Sequence, residues 1–282
     1  MKQYLDLLRD VLENGKVRTN RTGVDTLGVF GRQARYSLKE GLPIVTTKKV
    51  SFHNIVVELL WFLSGSTDVK YLQERNVHIW DEWANKEGEL VNCYGKQWRF
   101  YEAIDKDRPF VQESATDFTS GYPIKTIDQI ARVIDRIKKF PDCRRLIVSA
   151  WNPGDLEEAS LAWCHSQFQF YVQDGELSCH LLQRSGDIFL GIPYNITSYC
   201  LLTCMIAQVC GLQPGEFVHS ITDLHLYTNH LEQAKLQLTR EPLPLPKLWL
   251  DSSIKDIDDF RYEHIKLLDY KSHPAISAPV AV

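Results

Sequence analysis

The stretch that most constrains this chain is a pair of strand-like runs, Gln167–Val172 and Leu177–Leu182, separated by Asp174-Gly175. Two such runs around an Asp-Gly dipeptide are a strong short-range signal for a β-hairpin. Any fold for the chain must therefore contain a sheet at this point. Chemistry-bearing residues crowd its flanks. Cys164 sits just ahead of the first run, and Arg184, Ser185 and Asp187 follow the second. A Gly191-Ile192-Pro193-Tyr194-Asn195 turn closes the stretch. A thiol, an anion clamp and a planar amide thus fall close together on one sheet and its turns.

The bulk of the sequence sets limits on the rest. A chain of 282 residues is long enough for one large domain or two small ones with a sizeable core. At 44% hydrophobic and 24% charged residues, the composition is that of an ordinary globular protein. A net charge of −4 gives no electrostatic case for nucleic acid, DNA included, or for a membrane surface. Any bound anion must be held by a local arginine cluster. The N-terminus shows no secretory pattern. The longest apolar run, Ile196–Val209, is too short to span a bilayer. Seven cysteines, without CxxC or zinc-type spacing, read as reduced thiols in a cytoplasmic protein, most of them small core hydrophobes.

The motifs CH-x-x-F-Q-F-Y-V-x-D-G-x-L-S-C and QRS-x-D-x-x-LG-x-P-x-N resemble the thymidylate synthase family, and matches recur from Arg21 to Val282 outside about Tyr101–Tyr122. The resemblance implies an α/β (α+β) fold. It would be one catalytic domain over 1–282, a large, mostly antiparallel, twisted sheet flanked by helices, with the sheet packed at a homodimer interface. It also implies one-carbon transfer from 5,10-methylene-tetrahydrofolate to C5 of a pyrimidine nucleotide, with no metal.

Along the chain, Tyr4, Leu5, Leu7, Leu8, Val11 and Leu12 recur at helical spacing, so residues 2–13 read as an amphipathic helix stopped by Gly15. Arg21 lies on a loop, where arginines are most often merely solvated; the resemblance makes it a phosphate ligand. Leu42–Lys49 reads as a strand with a charged end, and the resemblance gives Lys48 to the folate's glutamate tail. His53–Leu63 reads as a helix in which Glu58 sits among apolar residues. Pattern alone leaves that carboxylate either buried or on the outer face. The resemblance implies that Glu58 organises water and protons around the uracil ring. Trp80 and Trp83, three apart, fall on one side of a helical turn and read as a core stripe or, by resemblance, as folate contacts with Ile79. Residues 101–122 read as a surface insert. A helix is expected from about Ile127 to Lys139, with Ile127, Ile130, Ala131, Ile134 and Ile137 on one face.

Arg144 and Arg145 at a strand start are ordinarily surface charge; the resemblance has them clamp the phosphate in a neighbouring subunit's site. Ile196–Val209 is the most apolar helix, with Gly211 as its C-cap. Phe217–Ile221 reads as a strand. Asp223, His225 and His230 follow, without the closed ligand set that a zinc site needs. Pro242–Leu248 reads as extended. The resemblance further assigns Tyr94 and Asp223 to catalysis, and Gln183, Ser185, His225 and Tyr227 to the nucleotide. To the folate it gives Asp187, Leu190, Gly191, Tyr194 and the C-terminal Ala281 and Val282.

The implied chemistry starts with the Cys164 thiolate adding to C6 of uracil, which activates C5 as a nucleophile. Cys164 then needs a lowered pKa, to which Arg184 contributes positive charge while holding the phosphate. Asn195 can donate to O4 and accept from N3–H, a pairing that selects dUMP over dCMP. The resulting exocyclic methylene has two fates, hydride transfer to give dTMP or attack by water to give 5-hydroxymethyl-dUMP.

Several residues depart from the family pattern. Trp163 stands where proline is usual, Val91-Asn92-Cys93 where Gly-Pro-Val is usual, and Thr222 where glycine is usual. Ser51 replaces a common histidine, Thr197 an alanine and Tyr194 a phenylalanine. If Asn92, Thr197 and Tyr194 hold a water, hydration is favoured, as in the dUMP hydroxymethylases of phages that modify thymine. That is the leading expectation, acting in a host cytoplasm if phage-encoded, and reductive methylation is the alternative. Two other classes compete. A cysteine hydrolase would need Cys164 and His165 as a dyad, but neighbours on an extended chain point opposite ways. A non-catalytic nucleotide-binding protein would form no covalent adduct.

Overall fold

A computed structural model describes residues 1–107 and 123–280. Helix α1 (Lys2–Asn14) buries Tyr4, Leu5, Leu7, Leu8 and Val11, as its spacing predicts. Gly15 ends it through close approach rather than a left-handed turn: its backbone is extended, and a Cβ there would stand 2.3 Å from the Val11 carbonyl oxygen. Strands β1 (Lys16–Arg18) and β2 (Thr26–Ser37) follow. Helix α2 (Phe52–Ser64) is capped by Ser51, whose Oγ accepts from Asn54 N–H at 3.3 Å. Short helices α3 (Lys70–Gln73) and α4 (Tyr94–Arg99) lead to a small hairpin of β3 (Tyr101–Ile104) and β4 (Ile124–Ile127).

Next come α5 (Gln129–Lys139), β5 (Ile147–Ser149), β6 (His165–Gln173), β7 (Glu176–Asp187), α6 (Ile192–Cys210) and β8 (Gln213–Tyr227). The chain finishes through α7 (Leu231–Leu238) and the pair β9 (Lys247–Leu250) with β10 (Ile265–Leu268).

The expected hairpin is β6–β7. Its turn residues Asp174 and Gly175 take φ of 52° and 77°, the left-handed pair that matches the twist of the flanking strands. It lies inside a sheet ordered β1-β2-β8-β7-β6-β5, in which every pair is antiparallel except β7–β8. The parallel pair needs a crossover, and α6 supplies it. That helix is buried on nearly every side, which is why its sequence is apolar throughout, and Gly211 closes it at φ 71°.

One sheet face, including Tyr36, Phe168, Phe170, Leu181, Phe217 and Ile221, joins a continuous core with α1, α2 and α6. Burying one large apolar side chain of this kind contributes roughly 1.5–3 kcal/mol. The opposite face leaves Gln33, Arg35, Tyr171, His180 and Leu182 exposed.

Three expectations about elements are corrected. Leu42–Lys49 forms no strand; it is an irregular segment buried from Leu42 to Lys48, whose polar groups bond to Leu243 N–H (at Thr46) and Arg240 (at the Thr47 carbonyl) rather than to a sheet edge. The helix expected from Ile127 starts at Gln129, since Ile127 pairs with Tyr101 and Asp128 caps the helix; its buried side carries Val133, and Ala131 is exposed. The start of the expected insert, Tyr101–Ile104, is a paired strand. Residues 108–122 of it lie outside the described residues.

Candidate active site

Cys164 occupies the residue before β6, at the end of the sheet where β7 and β8 also finish. Tyr94, from the start of α4, pins the spot: its hydroxyl accepts from the backbone N–H of Cys164 at 2.8 Å and of His165 at 3.3 Å. From β7, Arg184 N–H donates to the Cys164 carbonyl at 2.8 Å. The Arg184 guanidinium donates to the carbonyls of Trp163 at 2.9 Å and Ala162 at 2.6 Å. The loop that carries the thiol is thus tied down from both sides.

A cavity of about 550 Å³ opens over the sulfur. Of the residues expected at the site, Arg21, Trp83, Cys164, Arg184, Ser185, Asp187, Asp223, His225 and Tyr227 all line it. The parallel register explains the grouping, since Ser185 lies opposite Asp223 and Asp187 opposite His225. Arg18, Asn20 and Thr22 line it too, although the sequence reading passed over them. Arg18 donates to Asp223 Oδ2 at 2.8 Å, and His225 Nδ1 lies 3.3 Å from Asp223 Oδ1. Their one sequence signal is proximity to Arg21 in a Gly-bearing loop.

The electrostatics differ from expectation at Cys164. Burial pushes the Cys164 thiol up, and the opposing pull of Arg184 and Arg21 does not cancel it. Burial thus favours the neutral thiol over the thiolate. His165 is no base for it. Its ring is buried against Tyr94 and Tyr199, at 4.9 and 5.2 Å between centroids, and burial pulls it down to about 4 against a rise from Asn195. The hydrolase dyad fails on this geometry.

Behind the cavity, Glu58 lies on the inner side of α2, which resolves the ambiguity of its pattern. Trp80 Nε1 donates to its Oε1 at 2.7 Å. Burial pushes the carboxyl up to about 7, with the Trp80 bond pulling the other way. Trp80 packs on Phe62, Tyr94 and Trp83, its ring centroid 6.3, 6.3 and 5.8 Å from theirs. Trp83 reaches the cavity, and Ile79 is exposed beside it. Of the three residues only Trp83 lines the cavity, with Trp80 packed behind it.

Asp187 accepts from the N–H groups of Phe189 and Leu190 at 2.8 and 3.2 Å, ordering the turn through Gly191 into α6. Asn195, in the first turn of α6, accepts at Oδ1 from Gln183 Nε2 at 3.1 Å. Tyr194 is partly buried, and its hydroxyl takes a hydrogen bond from the backbone of Ser51.

Other expected residues stand apart from the cavity. Lys48 is turned inward, 5% exposed, donating to the Phe189 carbonyl at 2.5 Å with its ammonium 3.5 Å from that residue's ring centroid. Burial lowers it to about 8, with Asp187 opposing. Arg144 and Arg145 are exposed and line no part of the Cys164 cavity. Ala281 and Val282 lie outside the described residues. The tail before them is docked, with the Pro279 carbonyl accepting from His230 Nε2 at 2.7 Å.

The departures from the family pattern turn out to be structural partners. Trp163 is fully buried and donates from Nε1 to the Asn92 carbonyl at 2.8 Å. Ser160 Oγ accepts from Val91 N–H at 3.0 Å, and Ser160 N–H donates back to the Val91 carbonyl at 3.2 Å. Asn92 spends its side-chain oxygen on Lys96 at 2.6 Å. Thr197 donates within the core to the carbonyls of Pro43 and Pro193. Of the three groups expected to hold a water, Asn92 and Thr197 are buried with the Asn92 oxygen and the Thr197 hydroxyl already engaged, and the Tyr194 hydroxyl is bonded to the Ser51 backbone. Thr222 does not need glycine's backbone either; the left-handed residue is Gly31 across the ladder, at φ 66°, where pairing skips from Phe30–Asp223 to Arg32–Ile221.

A thiol at a sheet end, sharing one cavity with arginines from two separate segments and with Trp83, makes a pocket suited to an anionic ligand. Residues 2–282 match the family model described as Thymidylate synthase, and the chain belongs to that family. It is accordingly a transferase that moves a one-carbon unit from methylene-tetrahydrofolate to dUMP. Among the described residues no cluster of His, Cys, Asp or Glu could hold a metal ion, and no helix is long and apolar enough to cross a membrane.

Proposed function

We propose that this chain completes the transfer reductively, converting dUMP and methylene-tetrahydrofolate to dTMP and dihydrofolate. The observation that supports this over hydration is the lacing of Trp163 and Ser160 to Val91-Asn92, with Thr197 bonded inside the core. Those groups are engaged with one another in the scaffold, and the Tyr194 hydroxyl takes a bond from the Ser51 backbone, which favours exclusion of a water from the reacting carbon.

In this reading Cys164 Sγ bonds to C6 of the pyrimidine and is released as C5 is rebuilt. Arg21, Arg184 and Ser185 hold the phosphate, and His225 and Tyr227 the ribose. Asn195 reads O4 and N3, and Glu58 moves protons through water near the ring. Asp187, Ile79, Trp80, Trp83, Leu190, Gly191 and Tyr194 face the folate, with Lys48 reaching its tail only if it swings out.

The exposed sheet face would pair with a second copy. Arg144 and Arg145, outside their own cavity, would complete the phosphate clamp of the neighbouring site. Seven free thiols suit a reducing cytoplasm.

Product analysis by mass spectrometry tests the reading. Incubation with dUMP and methylene-tetrahydrofolate should yield dTMP and dihydrofolate; 5-hydroxymethyl-dUMP with tetrahydrofolate would overturn it.

A further inference from the structure

We propose that His219 is a positioning residue that sets base selectivity, by locking the Gln183 amide that in turn fixes which way round Asn195 faces the pyrimidine. The inference rests on the dUMP-reading role given to Asn195 above.

His219 lies on β8, fully buried, and its Nε2 is 2.8 Å from Gln183 Oε1. Gln183, 2% exposed on the neighbouring parallel strand, uses its amide nitrogen twice, toward the Ser185 carbonyl at 2.9 Å and Asn195 Oδ1 at 3.1 Å. Gly186 leaves the room this requires, since a Cβ there would come within 3.2 Å of Gln183 Nε2.

The logic of donors and acceptors fixes every step. An amide oxygen can only accept, so His219 must carry its proton on Nε2. Its Nδ1 is then a bare acceptor, and it has no partner among the described residues. Burial, with His165 and His180 adding to it, pulls the imidazole down to about 3, so the ring stays neutral and holds this tautomer. Were Gln183 to flip, two N–H donors would face one another across a dry contact, and its oxygen would be turned on the Ser185 carbonyl.

With Gln183 held, Asn195 must present Oδ1 to it. That oxygen, which also takes the His165 hydrogen bond, is thereby turned to accept N3–H of uracil, and Nδ2 to donate to O4. Cytosine offers the reverse pattern, a bare N3 and an exocyclic amine, and would need the flipped Asn195 amide. The flip would set Asn195 Nδ2 against Gln183 Nε2. Selection against cytosine is thus anchored two side chains away from the base, on a histidine that does not line the cavity.

The test compares wild type, His219→Leu and His219→Gln for kcat and KM on dUMP and dCMP. Losing the donor in His219→Leu should lower the dUMP-to-dCMP ratio of kcat/KM by about tenfold, mostly through KM for dUMP. His219→Gln, which can place an amide N–H near Nε2, should recover most of that ratio. An unchanged ratio in the leucine variant would overturn the proposal.

A second readout needs no variant that folds. The 15N signals of His219 in the wild-type protein should report a neutral ring protonated at Nε2 from about pH 5 to 8. An Nδ1–H tautomer or an imidazolium in that range would equally sink it. Wild-type protein inert toward dUMP would instead strike the function proposed above, while the tautomer still decides the inference.

Discussion

Glu58 shows at single-residue scale how a site is set by its surroundings. In the unfolded chain its carboxyl titrates near 4.5, whereas in the fold it holds its proton up to about 7. Below about pH 4.5 both states are protonated and the group is neutral in stability terms. Between the two values the unfolded state releases its proton first, so the fold loses stability as pH rises, and above 7 the penalty is constant. Glu58→Gln should therefore match wild type near pH 4.5 and exceed it by about 2 kcal/mol above pH 7, discounted for partial exposure, in denaturant melts at both values. The same variant should lose most of its turnover, since a carboxamide cannot shuttle a proton.

Cys164→Ser should abolish both turnover and the covalent adduct that 5-fluoro-dUMP and methylene-tetrahydrofolate form with wild type; a serine variant that turns over would end the nucleophile assignment. Sequence could name this residue but not its state. Nothing in the one-dimensional pattern says that burial outweighs two arginines at the sulfur.

At the scale of elements, local rules carried far. The Asp-Gly turn, the α1 spacing and the Gly211 cap are short-range features, and each appears where its pattern puts it. What failed were features decided by distant partners. Leu42–Lys49 reads as a strand with a charged end, yet pairs with no sheet edge. Trp163, Asn92 and Thr222 read as disturbances of a reaction centre because their partners are 71 residues away for Trp163 and Asn92, and across a ladder for Thr222.

This yields a prediction about the loop that carries Cys164. Trp163→Pro, a return to the usual family residue, should destabilise the protein by about 3 kcal/mol through lost packing and an orphaned Asn92 carbonyl. It should leave the identity of the product unchanged in the mass assay. A switch of product on that substitution would contradict the structural account of Trp163.

For the whole molecule, the outer sheet face and the two arginines beside it make one connected expectation. Mixing Cys164→Ser chains with Arg145→Ala chains should restore activity that neither has alone, because a mixed pair contains one site with an intact thiol and an intact borrowed arginine. Absence of any rescue, with mixing verified by native mass spectrometry, would show that each site is built from one chain.

The parallel β7–β8 pair carries its own consequence for how the enzyme comes into being. Its two strands are neighbours in space but not along the chain, joined only after α6 has been laid across the sheet. During synthesis the thiol and its first arginines emerge well before Asp223, His225 and Tyr227, so a ribosome-bound chain stopped short of β8 has a hairpin but no pocket. Nascent chains should accordingly acquire nucleotide affinity late and abruptly, which keeps a half-built enzyme from trapping substrate it cannot process.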